Sequence, residues 1–126
     1  MRVRFGFAAL CLILSASSGR SAELCGRNVI SVQSLHDELS RDRVIDPAGG
    51  NAQFVAFADR RTQTLWTFTK AGHPADPAVV CRRPLQRGDR IELEMQVRCG
   101  GPKAACDALV ASFKGLNDRL RQDLRQ

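Results

Sequence analysis

The chain has few of the residues from which catalytic and nucleic-acid-binding sites are usually built. Its 126 residues include two histidines, one tryptophan and no tyrosine. Nucleophilic catalysis needs a base and an orienting group beside the nucleophile, and two histidines allow few such arrangements. No glycine-rich phosphate loop with its lysine occurs, and no Cys-x-x-Cys pair occurs. Neither histidine has metal-ligand spacing to a cysteine. We therefore expect no enzymatic activity, no cofactor and no metal site.

Residues 1–22 have the pattern of an export signal. A basic start, Met-Arg-Val-Arg, precedes an apolar run at residues 5–14 that is too short to span a bilayer. Cleavage is expected after Gly19 or after Ala22, and the first is preferred because small residues lie one and three positions upstream of that cut. Residues 23–126 are then expected to form one domain without a transmembrane segment, located in the periplasm or secreted.

Loss of the signal leaves a chain that is only mildly basic. The formal charge of +6 falls to +4 if cleavage follows Gly19, and to +3 if Arg20 is also lost by cleavage after Ala22. Nucleic-acid interfaces usually have a denser basic face together with aromatic platforms. We therefore expect no nucleic-acid partner.

The clearest local pattern lies in the last third of the chain. Residues 91–99 alternate strictly between apolar and polar side chains, which is typical of a half-buried strand whose Glu92 and Glu94 face solvent. After Gly100-Gly101-Pro102 the period becomes helical. One side of the predicted helix carries Cys106, Leu109, Val110, Phe113, Leu116, Leu120 and Leu124. A strand and a long amphipathic helix therefore share one core.

Four cysteines remain after export, when Cys11 has left with the signal. An even number in an oxidising compartment predicts structural disulfides. The short separation across the strand-to-helix corner favours Cys99 with Cys106, which leaves Cys25 with Cys81.

Weaker patterns complete the predicted fold. Residues 31–39 have the apolar spacing of a short helix, with Ser31 or Ser34 as its cap. Turn chemistry is expected at residues 46–51 and a loop at residues 83–90. Three further strands are predicted at residues 52–58, 63–69 and 78–82. The fold class is thus α+β: a short N-terminal helix, a four-stranded mostly antiparallel sheet and a long C-terminal amphipathic helix, with two disulfides.

One stretch has a family resemblance. The run Leu-Trp-Thr-Phe-Thr at residues 65–69, with His-Pro-Ala at 73–75 and Pro-Ala-Val-Val-Cys-Arg at 77–82, resembles small exported proteobacterial proteins of uncharacterised function. Those proteins carry a similar Trp-Thr strand and His-Pro-Ala loop. The resemblance implies a Gram-negative envelope setting and supplies neither an activity nor catalytic residues, and it marks Trp66, His73 and Arg82 as the residues to test.

The candidate binding residues are aromatic, imidazole or basic side chains in the less regular part of the chain, where recognition loops are common. They are Trp66, Lys70, His73, Arg82, Arg83, Arg87 and Arg90. Structural roles are the alternatives: core for Trp66, loop ordering for His73 and scattered solubilising charge for the basic residues. The predicted function is a small exported, non-enzymatic binding or interaction module that recognises an anionic envelope component or a protein. The alternatives are a secreted inhibitor of an external enzyme and a small hydrolase or thiol enzyme.

Overall fold

The computed structural model describes residues 22–125. The predicted export signal lies outside them, apart from Ala22. No helix among these residues is long and apolar enough to cross a membrane. In chain order the elements are β1 (Ala22–Leu24), β2 (Arg27–Val29), α1 (Val32–Arg41), β3 (Ile45–Gly50), β4 (Phe54–Asp59), β5 (Thr64–Thr69), β6 (Ala78–Arg87), β7 (Arg90–Cys99) and α2 (Lys103–Leu124).

The strands form an antiparallel five-stranded meander and a separate two-stranded hairpin. The sheet order is β3-β4-β5-β6-β7, so each strand pairs with its neighbours in sequence. β1 and β2 pair only with each other, and we call residues 22–29 the N-terminal hairpin. The α+β class, both disulfides and the long C-terminal helix are confirmed. The predicted count of four strands is wrong, because the sheet has five strands and the hairpin adds two.

Two segments predicted as turn and loop are strands. The Asp-Pro-Ala-Gly-Gly run from Asp46 lies in β3, an edge strand, where a proline is tolerated because one side needs no ladder hydrogen bonds. The pairing of β3 with β4 shifts register between Pro47 and Gly50. β6 continues through Pro84 to Arg87, so the loop predicted at residues 83–90 shrinks to a two-residue turn.

The sheet lies between two layers. On one side, the hairpin face, Trp66 and Phe68 pack with Leu35 and Leu39 of α1 and with the N-terminal hairpin. On the other side, the α2 face, the core contains Ala75, Ala78, Val80, Leu109 and Phe113. Alternate residues of β6 therefore serve two separate cores, with Val79 and Cys81 on the hairpin face and Ala78 and Val80 on the α2 face, as the period of two requires.

Helix α1 begins with reciprocal serine capping. The Ser31 hydroxyl accepts from the Ser34 backbone N–H at 3.0 Å, and the Ser34 hydroxyl accepts from the Ser31 N–H at 3.1 Å. Two backbone donors that a helix start leaves without partners are thereby satisfied. Of the two caps predicted, Ser31 is the one used.

The corner between β7 and α2 is tightly packed and crosslinked. Cys99 and Cys106 are bonded, with their Cα atoms 5.9 Å apart. A side chain on Gly101 would place its Cβ 2.7 Å from the Ala75 carbonyl oxygen, so only glycine fits without movement. The N–H of Gly100 donates to the Pro77 carbonyl at 2.8 Å. These contacts join the corner to the loop before β6.

The N-terminal hairpin is held on the sheet by a disulfide and two long-range hydrogen bonds. Cys25 is bonded to Cys81 of β6, and its backbone N–H donates to the Gln96 side chain at 2.5 Å. The Arg98 guanidinium donates to the Val29 carbonyl at 2.6 Å. The polar face of β7, predicted to be solvated, is therefore partly covered, and its last residues anchor this hairpin.

Candidate functional site

The seven predicted binding residues do not form one site. Lys70 and His73 lie in the loop before β6, whereas Arg87 and Arg90 flank the turn after it. β6 has ten residues, so the two groups are separated by roughly 30 Å at the usual strand rise. Trp66 is 2% exposed and packs in the core of the hairpin face. Its side chain contributes to packing rather than to a surface.

The side chains of the loop before β6 bond within that loop and its neighbours. His73 Nδ1 accepts from the Ala75 backbone N–H at 3.0 Å, while Asp76 accepts from the Thr69 hydroxyl at 2.6 Å. Imidazole and carboxylate therefore have separate partners and do not form a catalytic pair. Lys70 Nζ donates to a backbone carbonyl at 2.7 Å. These contacts order the loop, which is the structural alternative considered for His73.

Arg83 and Arg87 are neutralised by acids on the neighbouring strand. Arg83 Nε lies 2.5 Å from a Glu94 carboxylate oxygen, and Arg87 Nε lies 3.6 Å from one of Glu92. Both pairs lie on the hairpin face. Since each cation already has a carboxylate partner, the two arginines do not form a free anion-binding rim.

Arg82 occupies the opposite face, beneath α2. Its guanidinium carbon lies 5.2 Å from the centre of the Phe113 ring, and its Nη1 donates to Asn117 Oδ1 at 3.2 Å. Its Nε atom is buried without a partner among the described residues. Burial lowers the pKa of Arg82. Asn117 is itself 4% exposed and donates its amide to the Met95 sulfur at 3.4 Å, a weak acceptor. Arg82 and Asn117 thus form a polar pair in the α2-face core whose hydrogen-bonding groups are not all satisfied.

An open trough lies between β7 and the last turns of α2. It consists of two adjoining hollows of about 790 Å³ and 320 Å³, which share Leu93, Asn117 and Arg121. The larger volume falls within the range of roughly 300–1,000 Å³ that is typical of ligand sites. The apolar side chains that line this trough are Pro84, Ile91, Leu93, Met95 and Leu120.

The trough exists because the β6–β7 hairpin extends past the rest of the sheet. β5 pairs with β6 only as far as the Leu65–Arg82 position, so residues 83–94 form a two-stranded arm. Among residues 22–125, the end of α2 is the only element that faces this arm on the α2 face. Ile91 is therefore 73% exposed and Leu120 is 43% exposed, although both lie on predicted core-facing sides.

The trough is not among the predicted binding surfaces, although the sequence contains a signal for it. The alternation of residues 91–99 and the helical period of residues 103–124 assign Ile91, Leu93 and Leu120 to the sides that face each other. Periodicity shows the direction of a side chain, whereas coverage depends on where neighbouring elements end. Arg90, at the start of β7, is the predicted binding residue that lines the trough.

Basic side chains predominate around the trough. Arg121 pairs with Asp118 at 3.3 Å, and Glu92 is paired with Arg87 on the other side of the arm. Arg90 lines the larger hollow and Lys114 lines the smaller one. Arg90, Lys114 and Arg125 form no ion pair with another residue of 22–125, and neither does Asp123, so the unpaired charges around the trough are three basic and one acidic.

A second polar cluster has a structural role. Arg61, in the β4–β5 turn, donates to Asp59 at 3.1 Å and to Asp42 at the end of α1 at 3.1 Å. Asp59 is 5% exposed; burial raises its pKa, but the Arg61 hydrogen bonds outweigh this effect and the net pKa is lowered. The pKa of Asp42 is lowered by the Val44 N–H and by Arg61. Arg61 thus joins α1 to the sheet.

Comparisons with known proteins provide no identification. No protein-family model, curated protein or solved structure matches the chain. Within residues 22–125 no three His, Cys, Asp or Glu side chains are grouped so that they would hold a metal ion. The four cysteines of this region are all in disulfides and offer no thiolate nucleophile. The trough is therefore the best candidate for a functional surface.

Proposed function

We propose that this protein is a small exported binding module without enzymatic activity, and that it recognises its partner through the trough between β7 and α2. The observation that carries the proposal is the apolar lining: the exposed Ile91 and Leu120, together with the half-buried Leu93, form a concave surface that no described element covers. Apolar surface of this shape usually marks a ligand or protein contact. The cations Arg90 and Lys114 favour a partner that is partly anionic.

Export to the periplasm or the cell exterior is part of the same proposal. Two disulfides stabilise the fold, and such crosslinks persist in oxidising compartments. The apolar run at residues 5–14 after a basic start supports a cleaved signal. The resemblance of residues 65–82 to small exported proteobacterial proteins supports a Gram-negative envelope setting.

An apolar anionic dye, anilinonaphthalene sulfonate, tests whether the trough binds ligands. We expect saturable fluorescence enhancement with the folded, oxidised protein at one dye per chain. Ile91→Glu places a charge in the trough and is expected to weaken dye binding at least about tenfold, since burying an unpaired charge against apolar surface is costly.

Ile30→Glu is the matched control. Ile30 is 74% exposed, close to the 73% of Ile91, but it follows β2 and does not line the trough. The same substitution therefore adds the same charge at equal exposure, and dye binding should change by less than about twofold. Both variants should keep their stability within about 0.5 kcal/mol, as is usual for surface sites. Equal dye binding by the two variants, or no enhancement with the unmodified protein, would refute the assignment of the trough.

A further inference from the structure

β7 is an open sheet edge beside the trough. Within residues 22–125 it pairs with β6 alone, and the register runs without interruption from Arg90 to Cys99. The other edge strand, β3, is interrupted by Pro47 and a register shift, devices that discourage further strand pairing. β7 has neither device. Its free side therefore remains competent to accept another strand.

The register identifies the backbone groups that are free. Gly88 and Asp89 form the two-residue turn, with Gly88 at a φ of 65°, so Arg87 and Arg90 are the hydrogen-bonded pair that closes the hairpin. Hydrogen-bonded and non-hydrogen-bonded pairs then alternate along the ladder. Even-numbered residues of β7 bond to β6, and odd-numbered residues direct their N–H and C=O groups away from it. Pro84 lies opposite the odd-numbered Leu93. This agrees with the assignment, because a proline has no N–H to donate and can only occupy a non-hydrogen-bonded pair.

The free backbone groups and the trough belong to the same residues. Ile91, Leu93 and Met95 direct their backbone groups to the open edge and their side chains into the trough. From the first to the last of these residues the strand extends about 13 Å, which matches about five residues of extended peptide. Farther along β7, Gln96 and Arg98 bond to the N-terminal hairpin. Residues 91–95 are therefore the part of this edge that lies along the trough.

We propose that the partner is an extended peptide segment that adds to β7 as a sixth strand of the sheet. This inference rests on the proposed function, because it names the occupant of the same trough. Alternate side chains of the peptide would enter the trough beside Leu93 and Leu120, and acidic residues at its ends would meet Arg90 and Lys114. A lipid-like amphiphile would fill the apolar surface but would leave the edge N–H and C=O groups to water, whereas a peptide backbone pairs with them.

The probe is a synthetic peptide of about seven residues, with isoleucine at its third and fifth positions, glutamate at each end and threonine at the positions between, so that isoleucines and glutamates share one side of the strand. The matched control is the same peptide with its backbone nitrogens methylated, which keeps every side chain and removes the backbone donors. Titrations are followed by NMR together with amide hydrogen exchange of the oxidised protein. We expect the unmethylated peptide to bind and the methylated one to bind at least about tenfold more weakly, the effect of losing a few backbone hydrogen bonds.

Amide exchange shows which edge of β7 binds the peptide. Bound peptide should slow exchange at Ile91, Leu93 and Met95 at least about tenfold, because these N–H groups gain acceptors. Glu92 and Glu94, which already donate to β6, should change little and serve as internal controls.

The possible outcomes separate this inference from the function on which it rests. Equal affinity of the methylated and unmethylated peptides, without amide protection, would overturn strand addition. Dye binding without peptide binding would also overturn it, while leaving a binding trough for small amphiphiles. Protection of the same odd-numbered amides by self-association, detected by sedimentation without peptide, would assign the edge to a second copy instead. Loss of both dye and peptide binding would remove the proposed function as well.

Discussion

The two disulfides close loops of very different length, so their removal should cost different amounts of stability. Cys25 and Cys81 are separated by 56 positions, whereas Cys99 and Cys106 are separated by 7. The perturbation is paired substitution of each disulfide by alanine, with the other disulfide left intact. Each double variant is then a control for the other, because both remove two sulfur atoms and one crosslink.

The expected magnitudes follow from the chain entropy of the unfolded state. The relation between loop length and lost entropy predicts about 4.2 kcal/mol for the long loop and about 2.4 kcal/mol for the short one. Burial acts in the same direction, because Cys25 and Cys81 are 4% and 0% exposed while Cys99 and Cys106 are only half-buried. Alanine therefore leaves the larger unfilled space at the long-loop pair. The Cys25–Cys81 variant should be less stable than the other by about 1.8 kcal/mol or more.

Urea unfolding followed by circular dichroism measures both free energies, and the slopes show whether the unfolded states remain comparable. For a domain of this size the difference corresponds to a gap in melting temperature of about 7 °C. The N-terminal hairpin should also lose protection from amide exchange in the Cys25–Cys81 variant, because strands of three residues are not stable alone. Equal losses for the two pairs, or a larger loss for Cys99–Cys106, would refute the loop-length reasoning.

Three further predictions concern the α2-face core and the acid range. Phe113→Ala should lower the free energy of unfolding by about 3–5 kcal/mol in denaturant titration, because the ring is 7% exposed; a change near zero would place α2 outside the core. Arg82→Met and Asn117→Leu should each cost about 1–3 kcal/mol, since each leaves the other polar group without its partner; the double variant should cost less than their sum by about 1 kcal/mol or more, and strict additivity would contradict the coupling. The lowered pKa of Asp59 means that its ionised form stabilises the fold above the unfolded value of 3.8, and this contribution is lost as pH falls through the lower folded pKa. The destabilisation caused by Arg61→Ala should therefore shrink between pH 7 and pH 3, and an unchanged difference would argue against this ion pair.

Elements defined by local pattern were predictable. The alternation of residues 91–99 and the helical period after Pro102 correspond to β7 and α2, because each pattern states how its own residues divide between two sides. The disulfide pairing was also predictable, since a separation of 7 positions across a corner leaves one partner for each remaining cysteine.

Elements that depend on distant pairing were not predictable. β3 carries Pro47 and two glycines, a composition typical of turns, and it is extended only because β4 pairs with one of its sides. The N-terminal hairpin likewise has three residues in each strand and forms against Cys81, Gln96 and Arg98, which lie far away in sequence. A local window contains no information on these partners.

The candidate site likewise depends on contacts between residues that are distant in sequence. Of the predicted residues, only Arg90 lines the trough, because basic and aromatic identity does not reveal which side chains are already paired or buried. Trp66 packs in the core, and Arg83 has Glu94 as its partner. Those contacts are made between strands that the sequence alone does not align.

The amino-acid sequence by itself determined which side of β7 and α2 each apolar residue occupies, and it favoured the pairing of Cys99 with Cys106, because both follow from short-range geometry. Only the tertiary structure decided which of those apolar residues are covered. β5 stops pairing with β6 at the Leu65–Arg82 position, so the arm beyond it has α2 as its sole neighbour on that face among the described residues. The patterns of β7 and α2 thus assign both Ile91 and Phe113 to core-facing sides, yet one is 73% exposed and the other 7%. Burial depends on what lies opposite a side chain, and this is a property of the assembled fold.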